Sequence, residues 1–263
     1  LPDGFFNFFT PPQDIISGLG WGLGYFGMPH IIIRFMSLKS EKELRKSSVI
    51  GISWTTIILI MSALTAIAGR LYLGEIEDSS TVFITMVRRI FPALVSGLLL
   101  SAILSAAMST ADSQLLAASS AFASDVYKPV IRKKASDSEM LWAGRIVVIV
   151  IAIVALFIAS DPNSGSIMGL VENAWGVFGA AFGPVILLSL FWKRLTFGGT
   201  VAGIAVGAAV DILWLVFLSS TDIYEIVPGF AAGLLAAVVV SLLSKGPGKD
   251  VEDLFDRAVD LKS

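Results

Sequence analysis

The sequence predicts an all-α polytopic membrane protein, and three observations carry that prediction. Apolar runs of about 20 residues, the length that crosses a bilayer, recur seven times. The basic residues gather in alternate connecting segments, and the first apolar run is interrupted by glycines and a proline. Hydrophobic residues make up 55% of the chain and charged residues 15%, with a mean hydropathy of +0.81, a balance that a water-soluble domain of 263 residues does not carry.

The expected spans are 15–36, 47–69, 91–124, 141–160, 166–192, 197–219 and 225–244. Residues 1–14, opening LPDGFFNFF, have neither an initiator methionine nor the pattern of a signal peptide, and are expected to be the extracellular lead-in of a longer protein. The third span exceeds about 20 residues, so it tilts or continues as a helix past the bilayer, carrying SDVYKP into the cytoplasm. TVFITMVRRIF, just before it, suits a short helix lying across the outer mouth. The tail at 245–263 reads as a solvated, amphipathic cytoplasmic end without chemistry of its own.

Lysine and arginine set the orientation, because short cytoplasmic loops hold most of them. RFMSLKSEKELRK holds five, YKPVIRKK four, positions 193 and 194 two, the tail four, and Arg145 adds one, against Arg70, Arg88 and Arg89 in the alternate segments. Sixteen against three places the N-terminus of this chain outside and its C-terminus inside. A net charge of −2 gives no reason to expect nucleic acid as a partner. The absence of cysteine removes disulfides and thiolate metal sites, and a single histidine makes a metal cluster improbable. Neither a nucleophile–base pair nor a metal cluster is apparent, so the chain is not read as an enzyme.

Two stretches can carry chemistry. In WGLGYFGMPH, residues 21–30, each interior glycine costs a helix about 1 kcal/mol and proline about 3. Gly20 and Gly24 alone would serve close helix packing. Gly22 lies off that face, however, and Gly27 with Pro29 attacks the hydrogen-bond ladder itself. Irregular backbone at membrane depth persists only when buried in protein or lining a cavity, and broken helices of this kind expose backbone groups to substrate in secondary transporters. Trp21 and Tyr25, four residues apart, share one face and can wall a small cavity, or else belong to an interfacial aromatic belt.

In the second stretch, SAILSAAMSTADSQLLAASS, Ser101, Ser105, Ser109 and Ser113 recur every four residues as a polar stripe. Small-residue packing explains the stripe as readily as function does. Ser109 and Thr110 with the carbonyl of Ala106 supply three oxygens suited to a hard cation. Three are too few for a dehydrated ion, so further ligands must come from elsewhere. Asp112 lies beside this cluster, where it can orient the ligands or assist a proton, or simply make a helix hydrogen bond. Asp211 and Glu172 are flagged as intramembrane or near-interface acids. His30 reads as a hydrogen-bonded structural residue, and GVFGAAFGP in the fifth span suggests a flexible, moving part.

At these stretches the chain resembles the sodium/solute symporter family, most closely its proline-carrying branch. The matching pieces are GWGLGYFGMPHIIIRFM, SGLLLSAILSAAMSTADSQLLAASSA with DVYK, AWGVFGAAFGPVILLSLFWKR and YEIVPGF, spread over essentially the whole chain. The resemblance implies a leucine-transporter-type fold, two inverted repeats of five helices each, of which residues 15–192 form the second and 193–244 two added helices. It implies that the N-terminal half of the same transporter is missing here. It also implies sodium-coupled uptake of a small amino acid, most closely L-proline, across a bacterial-type plasma membrane.

Trp21, Tyr25 and Pro29 fall where the family contacts substrate. Ala106, Ser109 and Thr110 fall where it binds sodium, with Asp112 and Ser105 as secondary candidates, and the remaining ligands come from the first helix of the other repeat. Two positions depart from the proline branch: Met28 stands where glutamine is usual and Asp112 where serine is usual. Readings with other cargo or another class are a different small carboxylated solute, a membrane substrate-sensing domain, and a seven-helix receptor. A retinal-type receptor needs a lysine in its last helix, and residues 225–244 hold none.

Overall fold

A computed structural model describes residues 11–161 and 164–260, and among these every regular element is helical. The expected lead-in, residues 1–14, therefore lies largely outside the described residues.

The first expected span resolves into two short helices, α1 (Pro12–Gly24) and α2 (Pro29–Met36). Pro12 opens α1 where a missing N–H costs nothing. Between the two helices, Phe26 N–H reaches the Leu23 carbonyl at 3.3 Å and Gly27 N–H the Gly24 carbonyl at 3.0 Å, tight turns in place of the α-helical ladder. The ladder restarts when Ile31 and Ile32 N–H both donate to the Met28 carbonyl at 3.1 Å. The expected discontinuity is thus present, confined to residues 25–28.

Next come α3 (Glu41–Leu73), a 3₁₀ turn at Ser79–Thr81, α4 (Val82–Ile90) and α5 (Ala93–Ala121). Gly74, with φ of +74°, ends α3 in a conformation that L side chains rarely adopt. The Asp78 carboxylate caps the 3₁₀ turn, accepting from Ser80 N–H at 2.9 Å and Ser80 Oγ at 2.7 Å, and these bonds hold its carboxyl below the usual range. The helix expected from TVFITMVRRIF is α4, and α5 continues as a π-helical stretch at Phe122–Ile131 containing Pro129. The chain goes on through α6 (Asp137–Ser160), α7 (Ile167–Phe191), α8 (Phe197–Phe217), a 3₁₀ turn at Ser219–Thr221, α9 (Ile226–Leu243) and α10 (Lys249–Asp260). Ser166 and Thr196 cap α7 and α8, accepting from Gly169 N–H at 3.0 Å and Gly199 N–H at 3.1 Å.

Six of these helices are long and apolar enough to cross a membrane: α3, α5 with its π-helical extension, α6, α7, α8 and α9. The remaining expected span, the first, is the α1–α2 pair, divided by its break. The chain is a multi-pass membrane protein.

The chain forms two compact units, one of Arg34–Phe157, the other of the described residues within Phe8–Ile33 and Ile158–Ser263. In the first, α4 lies on α3, where the side chains of Val82 and Met86 cover Gly69. The Ser96 hydroxyl sits 3.0 Å from both the Val87 and Phe91 carbonyl oxygens, tying the end of α4 to α5. At the end of the π-helical stretch, Tyr127 and Arg132 both bond the same Glu139 carboxylate oxygen at 2.9 Å.

The second unit has α7, α8 and α9 packed together, with α1 against α7 and α9. Small residues make this possible: a Cβ on Gly207 would run into the Ala180 carbonyl of α7, and one on Gly233 would lie 3.0 Å from both the Ala180 and Gly203 carbonyls. Without a hydrophobic driving force between helices in lipid, such backbone-to-backbone approach supplies the packing. The glycines of GVFGAAFGP, expected to mark a flexible part, are buried contact points of an unbroken α7.

Candidate functional site

The break between α1 and α2 packs against α7. A Cβ on Gly27 would collide with the Phe178 carbonyl and come 2.8 Å from Gly179 Cα. One on Gly24 would fall inside the Trp175 indole, so both glycines are required for the backbone of the break to rest on α7.

Trp175 also serves the break chemically. Its Nε1–H donates to the Trp21 carbonyl oxygen at 3.0 Å, occupying an acceptor in the last turn of α1, where carbonyls run out of intrahelical donors. Its ring meets Tyr25 edge-on with centroids 4.9 Å apart and lies 6.1 Å from Trp21. Trp21 in turn lies 5.5 Å from Tyr224, whose hydroxyl donates to the Glu172 carbonyl at 2.8 Å and whose backbone N–H donates to Ser17 Oγ at 3.0 Å. Trp21, Tyr25, Trp175 and Tyr224 therefore form one aromatic cluster beside the break. The sequence reading named the first two and missed the other two. An indole N–H inside an apolar helix needs an acceptor, which was the available signal for Trp175.

Pro29 begins α2 and helps line an apolar groove of about 290 Å³ with Gly27, Ile32, Ile33, Phe178, Phe182 and Ile186. Trp21 and Tyr25 do not line that groove. Trp21 is partly buried in the cluster, whereas Tyr25 is 54% exposed. Met28 is buried and Pro29 exposed. His30 is partly buried and has an interaction partner.

In the other unit, Ala106, Ser109 and Thr110 share one turn of α5. The Thr110 hydroxyl donates to the Ala106 carbonyl at 3.3 Å and the Ser113 hydroxyl to the Ser109 carbonyl at 2.9 Å. Ser101, Ser105, Ala106, Ser109, Thr110 and Asp112 are all exposed. The oxygens of the stripe are thus presented on an uncovered helix face, and no group of three or more acidic or histidine side chains suited to a metal ion exists among the described residues.

The acids flagged in the sequence differ in setting. Asp211 of α8 is fully buried, Glu172 of α7 partly so, and Asp112 exposed. Glu225, just ahead of α9, is buried as well, and burial lifts its carboxyl above the usual range, with Glu172 adding to the effect. The Tyr224 phenol is raised by burial and then by Glu225, Glu172 and Asp211. Nothing in the sequence marked Glu225, at the start of the last expected span, because burial by neighbouring helices has no local pattern.

Comparison with known proteins adds kinship to this geometry. The family model for the sodium:solute symporter family matches residues 2–207. The high-affinity proline transporter PutP of Bacillus subtilis (strain 168) is 45% identical over 264 residues, covering 98% of this chain and 56% of that protein. The osmoregulated proline transporter OpuE of the same organism is 45% identical over 92% of this chain and 50% of its own length. The sodium/proline symporter of Haemophilus influenzae is 46% identical over 95% of this chain and 52% of its own. The chain thus spans about half the length of these relatives. No solved structure matches it.

Proposed function

The chain belongs to the sodium:solute symporter family, and we propose that it carries half of a sodium-coupled transporter for a small amino acid, L-proline being the best-supported cargo. The observation that carries this reading is the helix break at residues 25–28, set against α7 and flanked by Trp21, Tyr25 and Trp175. A zwitterionic solute needs backbone dipoles for its charged ends and apolar walls for its ring, and a broken helix supplies both. The relatives named above, proline transporters and a sodium/proline symporter, support the choice of solute and of ion.

In this account residues 15–192 form the second inverted repeat and 193–244 two added helices, with the remaining core supplied by a first repeat. Trp21, Tyr25 and Pro29 contact substrate. The Ala106 carbonyl and the Ser109 and Thr110 hydroxyls donate three oxygens to sodium, and Ser105 and Asp112 stand next to them. The exposure of that face of α5 is compatible with further ligands arriving from the first repeat. One sodium ion moving down about 100 mV yields about 2.3 kcal/mol, and a tenfold gradient adds about 1.4. Together they support accumulation of roughly several-hundred-fold without covalent chemistry.

The proposal is tested with the full-length transporter reconstituted in liposomes. Radiolabelled proline should accumulate when an inward sodium gradient is imposed and should not when potassium replaces sodium. Sodium-independent equilibration, or accumulation of another carboxylated solute while proline is ignored, would refute it.

A further inference from the structure

Asp211 of α8 is fully buried and Glu225 is 7% exposed, and three of their four carboxylate oxygens, both of Asp211 and Oε1 of Glu225, have no hydrogen-bond partner among the described residues. The two side chains converge on one point. A Cβ placed on Gly176 of α7 would lie 3.1 Å from Asp211 Oδ1 and 3.3 Å from Glu225 Oε1, so the bare glycine leaves the space that both carboxylates face. Gly229 of α9 closes the other side, where a Cβ would come 2.9 Å from Asp211 Cβ.

Among the described residues of the elements around the pair no compensating cation is built in. The sequences of α1, α7, α8 and α9 contain no lysine, arginine or histidine, nor does the connection from Leu218 to Glu225. The titratable groups on the surrounding elements are Glu172 of α7, which acts electrostatically on Glu225, and Tyr224 ahead of α9, on which all three acids act. The remaining charged residues are Asp14 of α1 and the exposed Asp222. All of the carboxylates repel further negative charge.

Two unpaired buried carboxylates cannot both stay ionised at this depth, because an uncompensated charge out of water costs several kcal/mol and the group neutralises instead. A hard metal ion would ask for six or so oxygen ligands, whereas a proton needs one. We propose that Asp211 and Glu225 form a buried proton-binding pair at the meeting point of α7, α8 and α9. Taking up a proton from water removes the like-charge repulsion across Gly176 and tightens this three-helix contact; losing it loosens the contact. The raised position of the Glu225 carboxyl agrees with this reading. Neither member of the pair lines the groove formed by Pro29 and Gly27.

The test is infrared titration of the full-length transporter in detergent. The wild type should keep a carboxylic acid C=O stretch at about pH 7, well above the ordinary carboxylate range, and the near-isosteric Asp211→Asn/Glu225→Gln variant should lack it. Asp211→Asn alone should move the titration midpoint by about one pH unit, tenfold in proton affinity. Because the folded form then binds more protons than the unfolded one, wild-type thermal stability should fall as pH rises from the unfolded carboxylate range through the folded titration. The double variant should lose that slope. A wild type with no acid band at about pH 7, or an identical band and slope in the double variant, would overturn the proposal. So would stabilisation of the wild type by added sodium that disappears with Asp211→Asn and is accompanied by no acid band, which would make the pair a metal site.

Discussion

The Trp175 indole N–H donates to the Trp21 carbonyl oxygen at 3.0 Å, so a side chain of α7 occupies a backbone acceptor at the end of α1. The hydrogen bond and the ring contact with Tyr25 act on the same stretch of chain, fixing where α1 stops and how its aromatic side chains face.

Trp175→Phe keeps most of the ring packing and removes the donor. Losing one hydrogen bond to a part-buried carbonyl should cost about 1 kcal/mol, measured by denaturant unfolding in detergent. It should also raise the apparent KM for proline, since the end of α1 loses its anchor. Unchanged stability and KM would show that the bond does not hold the break.

The glycines of this stretch should separate sharply. A Cβ on Gly24 meets the Trp175 indole, whereas one on Gly22 meets nothing within 4 Å. Gly24→Ala should therefore displace Trp175 and cost about 1–3 kcal/mol as overpacking does. Gly22→Ala should be neutral or stabilise by up to about 1 kcal/mol through helix propensity. Thermal melting of the two variants side by side decides it, and equal effects would contradict the packing described.

That contrast also marks how far the sequence could be read. The apolar spans were legible because a bilayer dictates helix length, and the break was legible because Gly27 and Pro29 are locally incompatible with a continuous helix. The partners of the break were not, since Trp175 lies 154 positions from Trp21 and nothing around it encodes the pairing. The glycines at 176, 179 and 183 carried the opposite difficulty. A glycine written for mobility and one written for backbone contact have the same local sequence, and only the positions of α1, α8 and α9 reveal the contact. Asp211 was visible as an intramembrane acid, but its convergence with Glu225 depends on how α8 and α9 meet.

Orientation is tested by single cysteines, the chain having none of its own. Lys42→Cys and Lys133→Cys should react with a membrane-impermeant reagent only from the cytoplasmic side, and Asp161→Cys only from outside. Reversed labelling would overturn the placement of sixteen of nineteen basic residues inside.

The stripe on α5 yields a graded prediction. Ser109→Ala and Thr110→Ala each remove one hard oxygen and should raise the sodium concentration for half-maximal uptake about tenfold, the loss of one interaction worth about 1.4 kcal/mol. Ser101→Ala, two turns earlier, should change it little. Equal effects at the three positions would make the stripe a packing surface.

The central claim is that one half-transporter holds substrate at the break of α1 and α2 and sodium on α5, and the most direct measurement is radiolabelled proline uptake by the full-length protein at varied proline and sodium. Surface expression is matched among wild type, Trp21→Ala, Tyr25→Ala, Pro29→Ala and Thr110→Ala. The account predicts that the first three variants raise the proline KM more than the sodium requirement, and that Thr110→Ala does the reverse, with some cross-effect because coupled sites share a free energy. Wild-type proline KM in all three break variants, or an unchanged sodium requirement in Thr110→Ala, would contradict it.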